Sequence, residues 1–541
     1  MVFPNVILLA GSSLVIFLSS IFVSAVTLLF FKIPVNTFSF YLGAIVVCFY
    51  LAYIPGFDMK ERQKALIILF FTLLLSSFAS FFFDVSWDGQ NYHQEAIIRL
   101  AHGWNPVYET LKPVDGIERQ IFLWDKHYPK AHYIVQAVFY ALTNRIETGK
   151  TVNLLWMFAS FYLATHCFLT VGTMSRNRAY LFGVLAALNP VVIYQSLSFC
   201  IDGQLASVML CCLAALYIFA RKQDAFSTSI VVATSVYFLN IKFTAVFYFV
   251  IMCAGFITLT LADRNWTLLR RSWSVLAGSF LIGILVFGYN PYVTNYKDKG
   301  HLFYPLMGAG SVDILKRERP PALKEASELE RFFVSIFSET TEFKEEPLKL
   351  KFPMAISRRE ISKLGYPSPR MGGFGPFFSA IFLLGAFFCA MGLRSLKKYR
   401  TFYLVVLFLA VSVAINPENW WARYVPQLWL IPVLTAAYFE NEQKQRWAKR
   451  LMTAMIALVM LNTMLISVYY LYRQTRNTML IQDQLKELAQ HPMPLQINFS
   501  YFPSNRVRLE EHGLKYEKHG SLSGKPILYL YSSVAEVLNT G

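Results

Sequence analysis

Two carboxylates and a histidine stand together just after the third long apolar run of the chain. They are Asp84, Asp88 and His93, with Glu95 two residues further on, Trp87 between the two aspartates and Trp104 beyond. A carboxylate at the rim of a membrane can reach a polar acceptor from water and a headgroup from lipid. There it can take the proton of an acceptor hydroxyl as a general base. A single Asp at this point would serve as a helix cap. A cap needs only one acidic residue, so the concentration of acidic and imidazole groups marks segment 84–106 for chemistry. Asp88 and Gly89 form a turn signal. From about 91 to 102, Ala96, Ile97, Leu100 and Ala101 share one helical stripe, which ends at Gly103 and Pro106. The pattern predicts an amphipathic helix on the membrane surface. Further on, His127 and His132 precede an apolar run, 133–142, that is too short to span a bilayer and predicts a second surface or re-entrant helix. The spacing of the two histidines matches no usual metal pair, so no metal or other cofactor is assigned, and a divalent ion has no clear ligand motif.

Five further positions carry charge where apolar runs begin or end, or in a long polar loop. Asp202 precedes an apolar run and suits an N-cap. Lys242 lies between two apolar runs, where it must snorkel, pair or meet a lipid phosphate. Arg358 and Arg359 belong to a basic polar stretch that also holds Lys363 and Arg370, and guanidinium forks suit phosphate oxygens. Arg423 follows the Trp420–Trp421 pair where a late apolar run begins; the Trp pair reads as an anchor at the membrane interface.

The elements that position these residues are apolar helices. Hydrophobic residues make up 55% of the 541 residues and charged ones 15%, well under the share of about 25% in soluble domains. Thirteen runs approach the roughly 20 apolar residues that a span requires. They lie near 5–31, 36–55, 64–83, 150–173, 179–199, 203–220, 225–241, 243–262, 272–289, 374–393, 401–415, 425–440 and 450–472. With the N-terminus inside, the inner loops hold eighteen Lys and Arg residues and the short outer loops three, namely Lys32, Lys242 and Arg423. That bias follows the positive-inside rule, accounts for the net charge of +17 and removes nucleic acid as the reason for it. Two long polar loops, 84–149 and 290–373, then lie outside, as does the tail. The expected organisation is a membrane domain over 1–472 and a small α+β appendage over 473–541, with strands at 494–500 and 526–532. All seven cysteines lie in or beside apolar runs, so no disulfide framework is expected.

Asp88 with Tyr92 as D-x-x-x-Y, a helix ending in G-x-x-P at Gly103 and Pro106, and His127-Tyr-Pro-Lys130 before another helix resemble the GT-C superfamily of membrane glycosyltransferases. The resemblance implies an all-α polytopic membrane protein of about thirteen transmembrane helices with outer juxtamembrane helices. It implies transfer of a sugar from a polyprenyl-phosphate donor to a glycan, lipid or protein acceptor, with inversion, and places the protein in a bacterial plasma membrane with its site on the periplasmic or extracellular side. Asp88 then takes the position of the catalytic base, with Asp84 as second candidate. Arg423 takes the donor phosphate, joined by Arg358, Arg359 and Lys242. Trp87, Tyr92, His93, Glu95, His127 and Asp202 are the expected acceptor and sugar contacts. The chain departs from the pattern in placing three spans before the loop and Gly89 where many relatives carry a second acid. Two other readings are a polysaccharide polymerase or ligase with a pyrophosphate-linked donor, relying on Arg358, and a lipid or solute transporter. The transporter predicts charges in mid-span, where His166 is the main ionisable residue.

Overall fold

A computed structural model describes residues 2–109, 119–171, 174–313, 318–519, 526–531, 533 and 535–538. Each of the thirteen apolar runs contains a helix. By length and composition eight helices can cross a bilayer: Pro4–Phe30, Met59–Phe81, Ile146–Thr170, Asp202–Lys222, Phe243–Ala262, Trp266–Phe287, Phe378–Ser395 and Arg446–Leu488. Helices Phe38–Tyr53, Ala225–Leu239 and Arg400–Ala414 are apolar but shorter. The run at 179–199 breaks into Arg176–Ala187 and Pro190–Gln195, because Pro190 cannot continue the hydrogen-bond ladder. Asn189 caps the second piece by accepting from the Val191 amide at 2.9 Å. The run at 425–440 likewise opens as a 3-10 turn, Pro426–Trp429, before the ten-residue helix Leu430–Phe439.

The first helix, Val2–Phe30, is the hub. It packs against Phe38–Tyr53, Met59–Ser77, Thr151–Thr170 and Ala225–Leu239, and Leu8, Leu9, Val15, Leu18 and Ile21 on it are buried. A second apolar cluster joins Phe378–Gly392, Leu430–Phe439 and the last long helix through Phe378, Trp429, Val433 and Met455.

The two expected surface helices form, but inside the protein. Gln94–Ala101 follows a π-helical turn at Gly89–His93, and Ala131–Thr143 follows Lys130. Every residue from Ala131 to Tyr140 is buried, and Gln94 to Ile98 are buried too. The amphipathic pattern suggested lipid on one side and water on the other. The structure instead covers the polar side of Gln94–Ala101 with protein from the C-terminus.

That cover rides on the helix Arg446–Leu488, whose 43 residues extend about 65 Å against a hydrocarbon thickness of about 30 Å. Beyond it, four strands form a sheet of order β2-β1-β4-β3: β1 Leu495–Asn498, β2 Tyr516–Lys518, β3 Pro526–Tyr529 and β4 Glu536–Leu538. β1 and β2 are parallel, with helix Asn505–Glu511 between them in the chain, while β1–β4 and β3–β4 are antiparallel. Of the strand expected at 526–532, residue 532 lies outside the described residues. Leu495, Ile497 and Val537 bury one face against Leu485, Leu488 and Leu509, and Phe83 of the first long loop enters the same cluster.

Candidate functional site

Asp88, Asp202, Lys242 and Arg423 converge in one ion cluster. Arg423 sits on a 3-10 turn, Ala422–Tyr424, that fills the break between two apolar helices. Trp421 ties this turn down by donating its indole N–H to the Pro369 carbonyl at 2.8 Å, and Asn416 binds the Tyr248 hydroxyl at 2.8 Å. Tyr248 in turn donates to the Tyr424 carbonyl. The guanidinium is thereby fixed, and each of its nitrogens has an acceptor. Nε donates to Asp202 Oδ2 at 2.6 Å, Nη2 to Asp88 Oδ2 at 2.9 Å, and Nη1 to Ser368 Oγ at 3.0 Å. Asp202 uses its other oxygen for Lys242 Nζ at 2.6 Å, and that ammonium lies 4.2 Å from the centre of the Tyr424 ring. Two carboxylates balance two cations. Burial holds the Lys242 amine below its ordinary range although Asp202 opposes the shift.

Exposure separates the four. Asp202 is fully buried, Lys242 and Arg423 are 7% and 10% exposed, and Asp88 is 25% exposed. Asp88 is therefore the most exposed member of the cluster. It heads the π-helical turn without capping it through its side chain.

What aims Asp88 is Asp84. Asp84 is wholly buried, accepting from the Ser86 amide at 2.8 Å, the Ser86 hydroxyl at 2.9 Å and the Phe199 amide at 3.1 Å. Burial, and next Glu147, push its pKa up. It pins the turn before Asp88 to the loop that leads into helix Asp202–Lys222. Gly89 is required there, since a Cβ at that position would lie 1.8 Å from Asp84 Oδ2. Asp84, expected as a second candidate for the base, is buried with both of its oxygens accepting hydrogen bonds from the protein.

The remaining expected contacts divide. His93 is buried and bonded through Nδ1 to the Tyr133 hydroxyl at 2.6 Å; burial, then Arg423, hold its pKa well below the ordinary imidazole value. The half-buried Tyr92 ring packs against His93 at 4.1 Å. Trp87 is 57% exposed beside Asp88 and packs edge-on against Phe502 at 4.7 Å. Glu95 turns to the C-terminal appendage, where Arg506 meets it at 2.6 Å while Arg99 meets it at 2.8 Å. His127 bonds to Asn295 at 2.6 Å and stands apart from the ion cluster. Arg359 pairs with Glu346 at 3.3 Å and Arg358 is exposed; among the described contacts neither joins Asp88 or Arg423.

Arg370, from the same polar stretch, does lie beside the cluster. Its guanidinium lies 4.1 Å from the centre of the Trp421 ring, which Arg423 also approaches at 5.2 Å, and it pairs with Glu318 at 2.5 Å. Burial pulls its pKa down, Glu318 opposes and Arg423 adds to the fall. A count of basic residues in 290–373 could not choose among Arg358, Arg359 and Arg370. The ring that selects Arg370 belongs to Trp421, which with Trp420, expected as an interface anchor, is buried in a cluster with Leu323 and Met371.

The appendage also contributes to the site's frame. Arg508 donates to Glu147 at 2.9 Å and to the Asp84 carbonyl; Ser504 donates to the Gln90 carbonyl at 2.6 Å, and Asn91 donates to the Tyr501 carbonyl at 2.7 Å. These contacts fall on both sides of Asp88. Among the described residues no group of three His, Cys, Asp or Glu side chains is arranged to hold a metal ion. No protein-family model matches the chain, and no curated protein sequence matches it either.

Proposed function

We propose that this protein is a membrane glycosyltransferase that moves a sugar from a polyprenyl-phosphate donor to an acceptor hydroxyl on the non-cytoplasmic face. The observation that supports the reading best is the meeting of Asp88 and Arg423, 335 residues apart in the chain, at 2.9 Å. A base and an anion clamp have to face the same reacting centre, and residues assigned to these two roles share one ion cluster. Asp88 takes the proton of the acceptor hydroxyl. The acceptor oxygen attacks the anomeric carbon as the bond from that carbon to the phosphate oxygen breaks. The phosphate monoester leaves with the bonding electrons, and Arg423, with Lys242 and Arg370 nearby, stabilises its charge. Attack from the face opposite the phosphate inverts the anomeric centre. Trp87, exposed beside Asp88, offers a ring face to the acceptor.

The test is transfer from a labelled polyprenyl-phosphate sugar by purified protein in detergent or nanodiscs. Asp88→Asn is expected to lower transfer by on the order of 10²–10⁴-fold, the contribution of a positioned general base, while the protein remains monodisperse. Transfer by that variant at close to the wild-type rate would sink the assignment.

A further inference from the structure

Arg423 cannot take a phosphate on its Asp88-facing edge while Asp88 holds that edge. Each guanidinium nitrogen already has an acceptor: Asp202 on Nε, Ser368 on Nη1 and Asp88 on Nη2. Asp202 is the fixed partner. It is fully buried, and its second oxygen is committed to Lys242. Asp88 is the exchangeable partner, because it is the most exposed member of the cluster and comes from a separate loop. The cluster is charge-balanced as it stands. The phosphodiester of a docking donor would bring one more negative charge against two cations whose charge is already matched. Releasing the Asp88 carboxylate from Nη2 restores local balance, and that same release frees the carboxylate to accept a proton.

We infer that Asp88 and the phosphodiester of the donor compete for one edge of Arg423, so that docking of the anion and release of the base are a single exchange. The inference rests on the glycosyl-transfer reading and adds to it a control step. The carboxylate is masked by Arg423 until a phosphate takes its place, so a correctly docked donor arms the base. Lys242 and Asp202 are positioning residues in this step. They hold the guanidinium still while its outer partner changes.

The experiment measures binding of polyprenyl monophosphate, the lipid product that leaves the same phosphate at Arg423, and separately of inorganic phosphate, to the full chain in detergent, for wild type, Asp88→Asn and Asp88→Glu. Asparagine keeps the shape and loses the charge. The Asn variant is expected to bind polyprenyl monophosphate more tightly by on the order of tenfold, the return from a charge-assisted hydrogen bond that no longer has to be broken. The Glu variant restores the competitor and returns the affinity to within about twofold of wild type. A merely structural role for Asp88 predicts weaker binding in both variants. Wild-type binding with an Asn variant that is equal or weaker overturns the exchange and leaves the transfer reading standing. Failure of wild type and the Asn variant alike to bind polyprenyl monophosphate overturns both. Tightening with polyprenyl monophosphate supports the exchange with a lipid-borne phosphate, and tightening with inorganic phosphate alone overturns that form of it.

Discussion

Replacing Asp202 by asparagine leaves Arg423 and Lys242 buried with one carboxylate between them. In the native cluster Asp202 is fully buried and donors from both cations reach it at 2.6 Å. The amide of asparagine can still accept a hydrogen bond, but the cluster gains a net positive charge. Breaking a buried pair by removing one partner costs about 3–5 kcal/mol, and the low exposure of both cations puts this site in that regime. The loss also has a pH signature. Burial already depresses the Lys242 amine, and Asp202 is the main group opposing that shift. Without Asp202 the folded-state pKa falls further below the unfolded value of about 10.4. The unfolded state then binds more protons between the two values, so the variant gains stability as pH rises through that window. Asp202→Asn combined with Lys242→Met removes the orphaned ammonium, recovers at least about 1 kcal/mol and flattens the pH dependence. The measurement is thermal and denaturant unfolding of purified protein in detergent at pH 7 to 9.5, a pH range chosen to sit roughly within the lysine window. Asp202→Asn within about 0.5 kcal/mol of wild type, or a double variant no more stable than the single one, would refute the idea of a buried network and the cluster geometry with it.

Three other predictions follow from contacts around the cluster. Burial raises the Glu95 pKa but Arg506 and then Arg99 outweigh it, so the folded pKa lies below the ordinary carboxylate value. Its stabilisation is present above the unfolded pKa of about 4.3 and lost as pH falls through the folded value. Limited proteolysis of the C-terminal appendage should therefore speed up in acid for wild type, while Glu95→Gln should show raised cleavage at pH 7 and a smaller acid response. Gly89→Ala drives a methyl group into Asp84 and Ser86, shifts the turn that carries Asp88 and should cost on the order of a hundredfold in single-turnover transfer; a wild-type rate would show that the turn does not aim the base. Arg358→Ala should leave transfer within about twofold of wild type, whereas Arg370→Ala should raise the donor KM, and the opposite ranking would move the donor site to the 358–363 helix.

How much of this was legible in the sequence depends on the kind of signal each residue gives. Helices announce themselves by continuous apolar runs, and each of the thirteen runs contains one, but a run does not reveal whether it is interrupted. Pro190 divides one, and Pro426 turns the start of another into a 3-10 turn. Lys242 and Arg423 were legible because they violate a bias. They are two of the three cations in short outer loops, and the structure gives both the same buried counter-ion, Asp202. The third, Lys32, lies 5.5 Å from the Tyr108 ring, outside the cluster. A charge placed against the topological rule at the end of an apolar segment needs a partner, and for both cations that partner is Asp202. The outer loops gave no such signal. Arg358, Arg359 and Arg370 are alike as text, and only the packing of Trp421 distinguishes them. Least legible was the role of the tail, since Arg506 and Arg508 reach Glu95 and Glu147 across 411 and 361 residues. The Arg506–Glu95 pair explains why an amphipathic segment expected on a membrane surface is buried: the polar side of Gln94–Ala101 has a protein partner in the appendage, which also holds both flanks of Asp88 through Arg508, Ser504 and Tyr501. The appendage is therefore part of the site's frame, and shifting it should displace the Asp88 turn before it disturbs the buried Asp202–Lys242 pair.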